Sequence, residues 1–293
     1  MSGYSRRDFI KTGIAAGALA GAGNLPLHAA GKATDMVTLG NSGLQVTRLA
    51  FGTGSNNGHV QYNLGQAEFT RVVRHAYDRG IRFFETAEAY MTPGMLGEAL
   101  KGLPRESYRL MSKVETYRPG SDPAQRFDEM RKTHQTDYFD IMLLHHQHTP
   151  NWVEESKRWQ DGIEEAQAKK IIHTRGASVH GLPALRQVPK FQWLQVAMIR
   201  MNHNGTRMDG PVPDTPPPGD VSEVVQHVKQ VKQMGMGVIS MKLVGDGTFT
   251  RHEDRVAAMN FAFRNAGIDC ATVGFKSTQE VDEAIDNMNN ALA

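Results

Sequence analysis

The sequence predicts an α/β chain in which eight parallel strands, each followed by a helix, close into a (β/α)8 TIM barrel with an N-terminal β-hairpin cap. Three observations predict it. From Gly65 onward, strand-like and helix-like patterns alternate at a spacing of roughly 30 residues, the size of one strand–helix–strand crossover. Eight short apolar runs occur along the chain, which favours closure over an open doubly wound sheet. Setting aside an N-terminal segment leaves about 262 of the 293 residues, close to the ~250 typical of one such barrel. A single domain over residues 32–293 is therefore expected.

The segment set aside is residues 1–31. Ser5-Arg6-Arg7-Asp8-Phe9-Ile10-Lys11 precedes a Gly- and Ala-rich apolar stretch from Ile14 to Gly23, the pattern of a twin-arginine export signal. The stretch is too short and too rich in small residues to read as a bilayer span. Ala29-Ala30-Gly31 only loosely matches a small-x-small cleavage rule, so retention as an N-terminal membrane anchor is the alternative fate. The export machinery is an expected partner, and a periplasmic or otherwise exported location the expected destination. Without this segment the chain holds 30 basic and 30 acidic residues, and the lack of a basic block argues against nucleic-acid or anionic-membrane partners. Cys270, the single cysteine, lies in an apolar run and is expected to be buried and inert.

The elements follow in order. Met36–Leu39 and Leu44–Thr47 flank Gly40-Asn41-Ser42-Gly43, a hairpin expected to cap the barrel floor. Strands are expected at Leu49–Phe51, Ile81–Phe84, Tyr108–Ser112, Phe139–Leu144, Ile171–Ala177, Trp193–Ala197, Val238–Met241 and Ala271–Val273, as short apolar runs of the buried parallel kind. Phe69, Val72, Val73, Ala76 and Tyr77 repeat at helical spacing before Gly80, and Val221, Val224, Val225, Val228 and Val231 do so later. The segment Asn202–Asp220, with Pro211, Pro213, Pro216, Pro217 and Pro218, is too rich in proline for a helix or a central strand. It reads as a lid beside the site or as a surface excursion.

Three of these runs end beside residues that carry chemistry. Glu85 closes one strand and Tyr90 follows five positions later; Lys113 and His145 each follow the next two runs. A lysine closing an apolar strand needs a carboxylate neighbour, and Glu85 is the candidate. Hydride addition to a carbonyl places charge on oxygen, which a positioned acid must neutralise. Tyr90 is the candidate donor, Lys113 the cation expected to make it a better acid, and Glu85 the group that holds the lysine. A neutral His145 would orient the substrate oxygen. Taken singly, each residue also has a structural reading, as an interface aromatic, a rim ion pair or a core histidine.

Four stretches carry a resemblance to the aldo-keto reductase superfamily: Thr38–Val46, Phe51-Gly52-Thr53-Gly54, Phe84–Tyr90 with Leu96–Leu100, and Asp140–His145. The resemblance implies Tyr90, Lys113, His145 and Glu85 as the catalytic set, glutamate standing where the family has aspartate. It also implies a nicotinamide cofactor, held by Gly52 and Thr53, by Ser178 and Gln195 at the amide, by Met241, Lys242, Leu243 and Gly245 over the ring and diphosphate, and by Gly274, Lys276, Ser277 and Glu283 at the last strand and helix. Lys276 favours NADP, with NAD as the alternative, because Glu280 and Ala284 replace more usual partners. The implied activity is an NADP-dependent oxidoreductase acting on a small-molecule carbonyl or alcohol. Two other roles stay open: a nucleotide-binding barrel with a sensory or scaffold role, and a redox-neutral isomerase or lyase with a tightly held nucleotide.

The string His145-His146-Gln147-His148 invites a metal reading. Strand alternation should point His146 away from His145, and no acid or cysteine lies at ligand spacing, so no metal is expected. His180 reads as facing either the pocket or solvent. The polar loop Ser55–Asn63 suits a sugar-like substrate, and a chain ending at Ala293 suits a wide pocket.

Overall fold

The computed structural model describes residues 31–117, 120–211 and 218–293. Residues 1–30 of the signal segment, with its alternative as an anchor, lie outside the described residues, as do Pro213, Pro216 and Pro217. β1 (Met36–Thr38) and β2 (Gln45–Thr47) pair antiparallel as the predicted hairpin, Val37 opposite Val46. Leu39 and Val46 are fully buried and join the cluster inside the barrel, so the hairpin plugs the floor. At its turn Gly40 has φ +50°, and a Cβ there would lie 2.3 Å from the Gly235 carbonyl oxygen. Only glycine allows that approach.

The barrel strands are β3 (Leu49–Gly52), β4 (Phe83–Glu85), β5 (Arg109–Glu115), β6 (Phe139–Gln147), β7 (Ile172–Val179), β8 (Val196–Arg200), β9 (Gly237–Met241) and β10 (Cys270–Gly274). They form a closed ring in sequence order, β10 returning to β3, and every neighbouring pair is parallel. Alternation divides each strand between two cores. Phe83, Met111, Leu143, Val196 and Ile239 fill the barrel, while Phe51, Phe84, Met142, Leu144 and Val238 face the helices. Both faces are apolar, which is why the strands read as unbroken runs. Cys270 is buried in the inner cluster, where burial pushes its thiol well above the ordinary range.

Three differences from the sequence reading bear on the site. β5 and β6 continue past the expected ends, so Lys113 and His145 lie within strands. β8 starts three residues late: Trp193 sits outside the sheet, stacked on Phe191 with ring centroids 5.6 Å apart, and Arg200 is inside the strand. The run from Trp193 to Ile199 has no internal punctuation, so periodicity could not fix its start. Pairing with β7 and β9 does. The third difference is a bulge. The β6–β7 register shifts between Leu144 and Gln147, His146 takes φ +54°, and its ring lies 4.2 Å from that of His180. Simple alternation therefore does not describe His146, because the extra residue breaks the period.

The described part of Asn202–Asp220 is irregular and tied down. Asn202 Nδ2 donates to the carbonyls of Thr206 (2.6 Å) and Lys242 (3.2 Å), and buried Asp209 accepts from Gly181 N–H at 2.6 Å.

Between sheet and helix, buried His134 donates from Nδ1 to the Met130 carbonyl (2.6 Å) and accepts at Nε2 from the Ser112 hydroxyl (3.0 Å). Burial lowers its pKa to about 4, against the opposing pull of the Met130 carbonyl. The folded chain thus binds this proton later than the unfolded chain, whose histidine titrates near 6.5. The contribution is complete above pH 6.5 and is lost as pH falls from there through about 4. We predict that folding free energy from urea titrations drops by about 3 kcal/mol over that window on account of this residue. In His134→Gln the drop should be visibly shallower; an unchanged slope would contradict the assignment.

Candidate active site

Closure of the barrel brings the C-terminal ends of β4, β5 and β6 side by side. Lys113, fully buried, points inward from β5, and Glu85, 2% exposed, ends β4. The ammonium is paired with the Glu85 carboxylate and donates to the Thr86 carbonyl at 2.9 Å and the Tyr90 hydroxyl at 3.1 Å. Those three bonds use all three of its protons. Burial pulls the Lys113 pKa down and the Glu85 charge opposes that.

Tyr90 reaches this pair from the loop after β4. Thr86 N–H donates to the Met111 carbonyl, Glu88 N–H to the Lys113 carbonyl, and Thr92 Oγ1 to Thr53 Oγ1, at 2.9, 3.0 and 2.9 Å. The ring lies on Gly54, where a Cβ would come within 2.4 Å of it; the second glycine of Gly52-Thr53-Gly54 is there for close approach. The His145 ring stands nearly perpendicular to that of Tyr90, centroids 5.6 Å apart, and its Nδ1 is buried without a hydrogen-bond partner.

The electrostatics correct one expectation. Lys113 is within reach of the phenol, yet burial, together with the charges of Glu85 and Asp246, pushes the Tyr90 pKa well above its ordinary value. Desolvation of the anion outweighs the neighbouring cation, so the hydroxyl keeps its proton. Burial, assisted by Lys113 and the neighbouring imidazoles, holds His145 well below the usual histidine range. The site therefore presents a neutral phenol and a neutral imidazole beside a buried ion pair.

A cavity of about 710 Å³ opens from Tyr90 and Glu85 toward the last helix, within the size of dinucleotide and drug-sized sites. Of the residues expected to hold a cofactor, Gly52, Met241, Lys242, Leu243, Gly274, Lys276 and Glu283 line it. Thr53 sits buried beneath, bonded to Thr92. Gly245, at φ +60°, forms the turn after β9, where a Cβ would meet Thr248 Oγ1 at 2.3 Å. Ser277 caps the helix Thr278–Leu292, accepting from Glu280 N–H at 3.2 Å. Ser178 is buried on β7, its hydroxyl without a partner.

Gln195 is not brought to the site. It precedes β8 at the opposite end of the barrel, where its Oε1 accepts from Arg175 N–H at 3.0 Å and its carbonyl from Gly237 N–H at 2.9 Å. The late start of β8 is the reason. Met198 lines the cavity instead, and Arg200, buried at the other end of that strand, is hydrogen-bonded to His180. Sequence reading also missed Asp246, Arg255, Thr272 and Asn287 as lining residues; only the alternation of β10 signals Thr272 in advance.

The chain's own groups fit a nicotinamide dinucleotide. Buried Ser178 Oγ, Thr272 Oγ1 and His145 Nδ1 lack partners, Gly52 and Gly274 leave backbone open where a Cβ would clash at 2.6 and 2.0 Å, and Lys242, Lys276 and Arg255 supply cations along the wall. Among the described residues, no group of three or more His, Cys, Asp or Glu is arranged to hold a metal ion. No described helix is long and apolar enough to cross a membrane.

Residues 48–291 match the Aldo/keto reductase family, and residues 3–23 match the twin-arginine translocation pathway signal sequence. The fold resembles an aldo-keto reductase from Bacillus halodurans in its holo form, at a TM-score of 0.69 and 16% identity over 88% of this chain and 95% of that one. It also resembles an aldo-keto reductase from Klebsiella pneumoniae in complex with NADPH, at a TM-score of 0.65 and 17% identity over 87% of this chain and 89% of that one. The uncharacterized oxidoreductase YrpG of Bacillus subtilis is 28% identical over 184 residues, 53% of this chain and 54% of that protein. The chain spans 23% to 54% of the length of the curated relatives it matches.

The ion pair yields a stability prediction. Glu85→Gln strands a buried ammonium, and chemical denaturation should show a loss of about 3–5 kcal/mol. Glu85→Asp, which keeps the charge, should lose clearly less. Equal losses would mean that the length of the side chain matters as much as its charge.

Proposed function

The chain belongs to the aldo/keto reductase family, and we propose that it is an NAD(P)-dependent oxidoreductase interconverting a small-molecule carbonyl and its alcohol, with Tyr90 as general acid and base. The observation that carries this reading is the Tyr90 hydroxyl 3.1 Å from a Lys113 ammonium paired with Glu85.

A bound nicotinamide dinucleotide supplies or accepts the hydride. Gly52, Gly274 and Ser178 would hold it, with Met241 against the flat ring and Lys242 and Lys276 toward its phosphates. In reduction the substrate oxygen gains negative charge, and Tyr90 gives it the hydroxyl proton. An aliphatic alkoxide is intrinsically a stronger base than a phenolate, and burial in one pocket penalises both anions, so the proton passes to the substrate oxygen. Lys113 then faces a phenolate in a low-dielectric pocket, where the attraction is much stronger than in water. In the reverse direction the phenolate takes the proton back. His145, neutral, donates a second hydrogen bond to the substrate oxygen and fixes its approach.

Ser55 lines the cavity wall, and Asn56 and Asn57 follow it in the same loop, which supports a sugar-like substrate. NADP is proposed on two grounds: Lys276 at the cavity wall and the NADPH bound by the Klebsiella pneumoniae relative. Glu280 works against it, its Oε2 accepting from Lys276 N–H at 2.8 Å and its Oε1 standing 3.8 Å from Lys276 Nζ. The twin-arginine signal supports a periplasmic location. It also favours a second reading, in which a nucleotide loaded before export stays bound through a redox-neutral turnover. Mass spectrometry of acid-released nucleotide from the exported protein separates the two; a protein that carries none would exclude the second.

Tyr90→Phe should lower kcat for NADPH-dependent aldehyde reduction by at least about 100-fold while nucleotide binding is unchanged. A variant that keeps its rate would end this reading. Glu280→Gln should tighten 2'-phospho-ADP-ribose several-fold and leave ADP-ribose unaffected, as calorimetry would show.

A further inference from the structure

The loop Thr86–Thr92 has no regular secondary structure, yet it must hold a phenol on Lys113. Its ends are tied to the barrel by Thr86 N–H on the Met111 carbonyl and Thr92 Oγ1 on Thr53. Between them, a side chain from the outer helix layer reaches in. Arg126, on the helix Pro123–His134, donates from Nε to Glu88 Oε1 at 2.8 Å and from a terminal nitrogen to the same oxygen. The pair is well shielded, with side chains 19% and 6% exposed. Arg126 also approaches half-exposed Glu129 at 3.4 Å. Glu88 Oε2 is buried without a partner, while Glu88 N–H donates to the Lys113 carbonyl at 3.0 Å. Glu88 therefore joins helix, loop and β5 at a point two residues before Tyr90. Neither Glu88 nor Arg126 lines the cavity.

We propose that Arg126 is a positioning residue for the proton donor: by fastening Glu88 it keeps the Tyr90 hydroxyl on Lys113. The inference rests on the reading of Tyr90 given above. A carboxylate that shares one oxygen between two guanidinium bonds and has the other buried and unpartnered depends on that cation. Without it, Glu88 must turn toward water, and the backbone that moves with it carries Tyr90. A displacement of about 1 Å at a reacting group costs on the order of 100-fold in rate. Lysine keeps the charge but not the two-pronged hold, so it restores only part of the constraint.

Arg126→Met and Arg126→Lys in the full chain test this with three readouts: kcat and KM for aldehyde reduction with NADPH, the nucleotide dissociation constant, and hydrogen exchange by segment. In Arg126→Met we expect kcat to fall about 10- to 100-fold, KM and the nucleotide constant to stay within twofold, and exchange to quicken over residues 86–92 but not over 139–147. Arg126→Lys should recover part of kcat and of the protection, and it is read alone if the methionine variant does not fold. Unchanged kcat in a folded variant, or equal losses of kcat and nucleotide affinity, would overturn the proposal. If the native protein transfers no hydride, the reading of Tyr90 fails, and the exchange pattern alone then decides whether Arg126 anchors the loop.

Discussion

A lysine with no solvent exposure inside the barrel is the constraint on which the rest of the site depends. Its charge is tolerable only because Glu85, the Thr86 carbonyl and the Tyr90 hydroxyl take up its three protons. That requirement fixes the neighbours: the carboxylate must end the adjacent strand, and the loop after it must turn back over β5. Tyr90 is thus placed by the needs of a buried cation as much as by its own packing. Gly54 accepts the ring because it has no side chain to offer.

Burial sets the protonation of the same site. With the ion pair formed, water is excluded, and both titratable rings are driven to their neutral forms, Tyr90 upward and His145 downward. Two neutral hydrogen-bond donors facing a cation suit a reaction in which negative charge appears on one oxygen only as the hydride arrives. At the far end of the cavity the arrangement is different. Lys276 and Glu280 lie 3.8 Å apart in partial exposure, and Arg255 is taken up by Glu283 at 2.7 Å. Charges there are paired near the surface, where water screens them, while the pair at the Lys113 end is buried.

Much of this was legible in the chain. The eight runs, the hairpin with its Gly40–Gly43 turn, and the gathering of Glu85, Tyr90 and Lys113 toward the C-terminal side of neighbouring strands follow from period, punctuation and the cost of a buried charge. What misled was local. Gln195 was assigned to the wrong end because the run from Trp193 to Ile199, Gln195 aside, is apolar and holds no glycine or proline to mark where the strand begins. His146 was assigned by alternation, which a bulge at Leu144–Gln147 cancels. Arg126 gave no signal, since an arginine on an amphipathic helix reads as surface until its partner is known.

The sequence by itself determined the set of strands, the chemistry available at their ends and the export signal, because each depends on residues close together in the chain. Only the tertiary structure decided strand register, the partner of each buried charge, and the direction of the Tyr90 shift. Those are set by distance and dielectric across segments far apart in sequence: whether a phenol gains or loses acidity beside a cation depends on how much water closure removes from both.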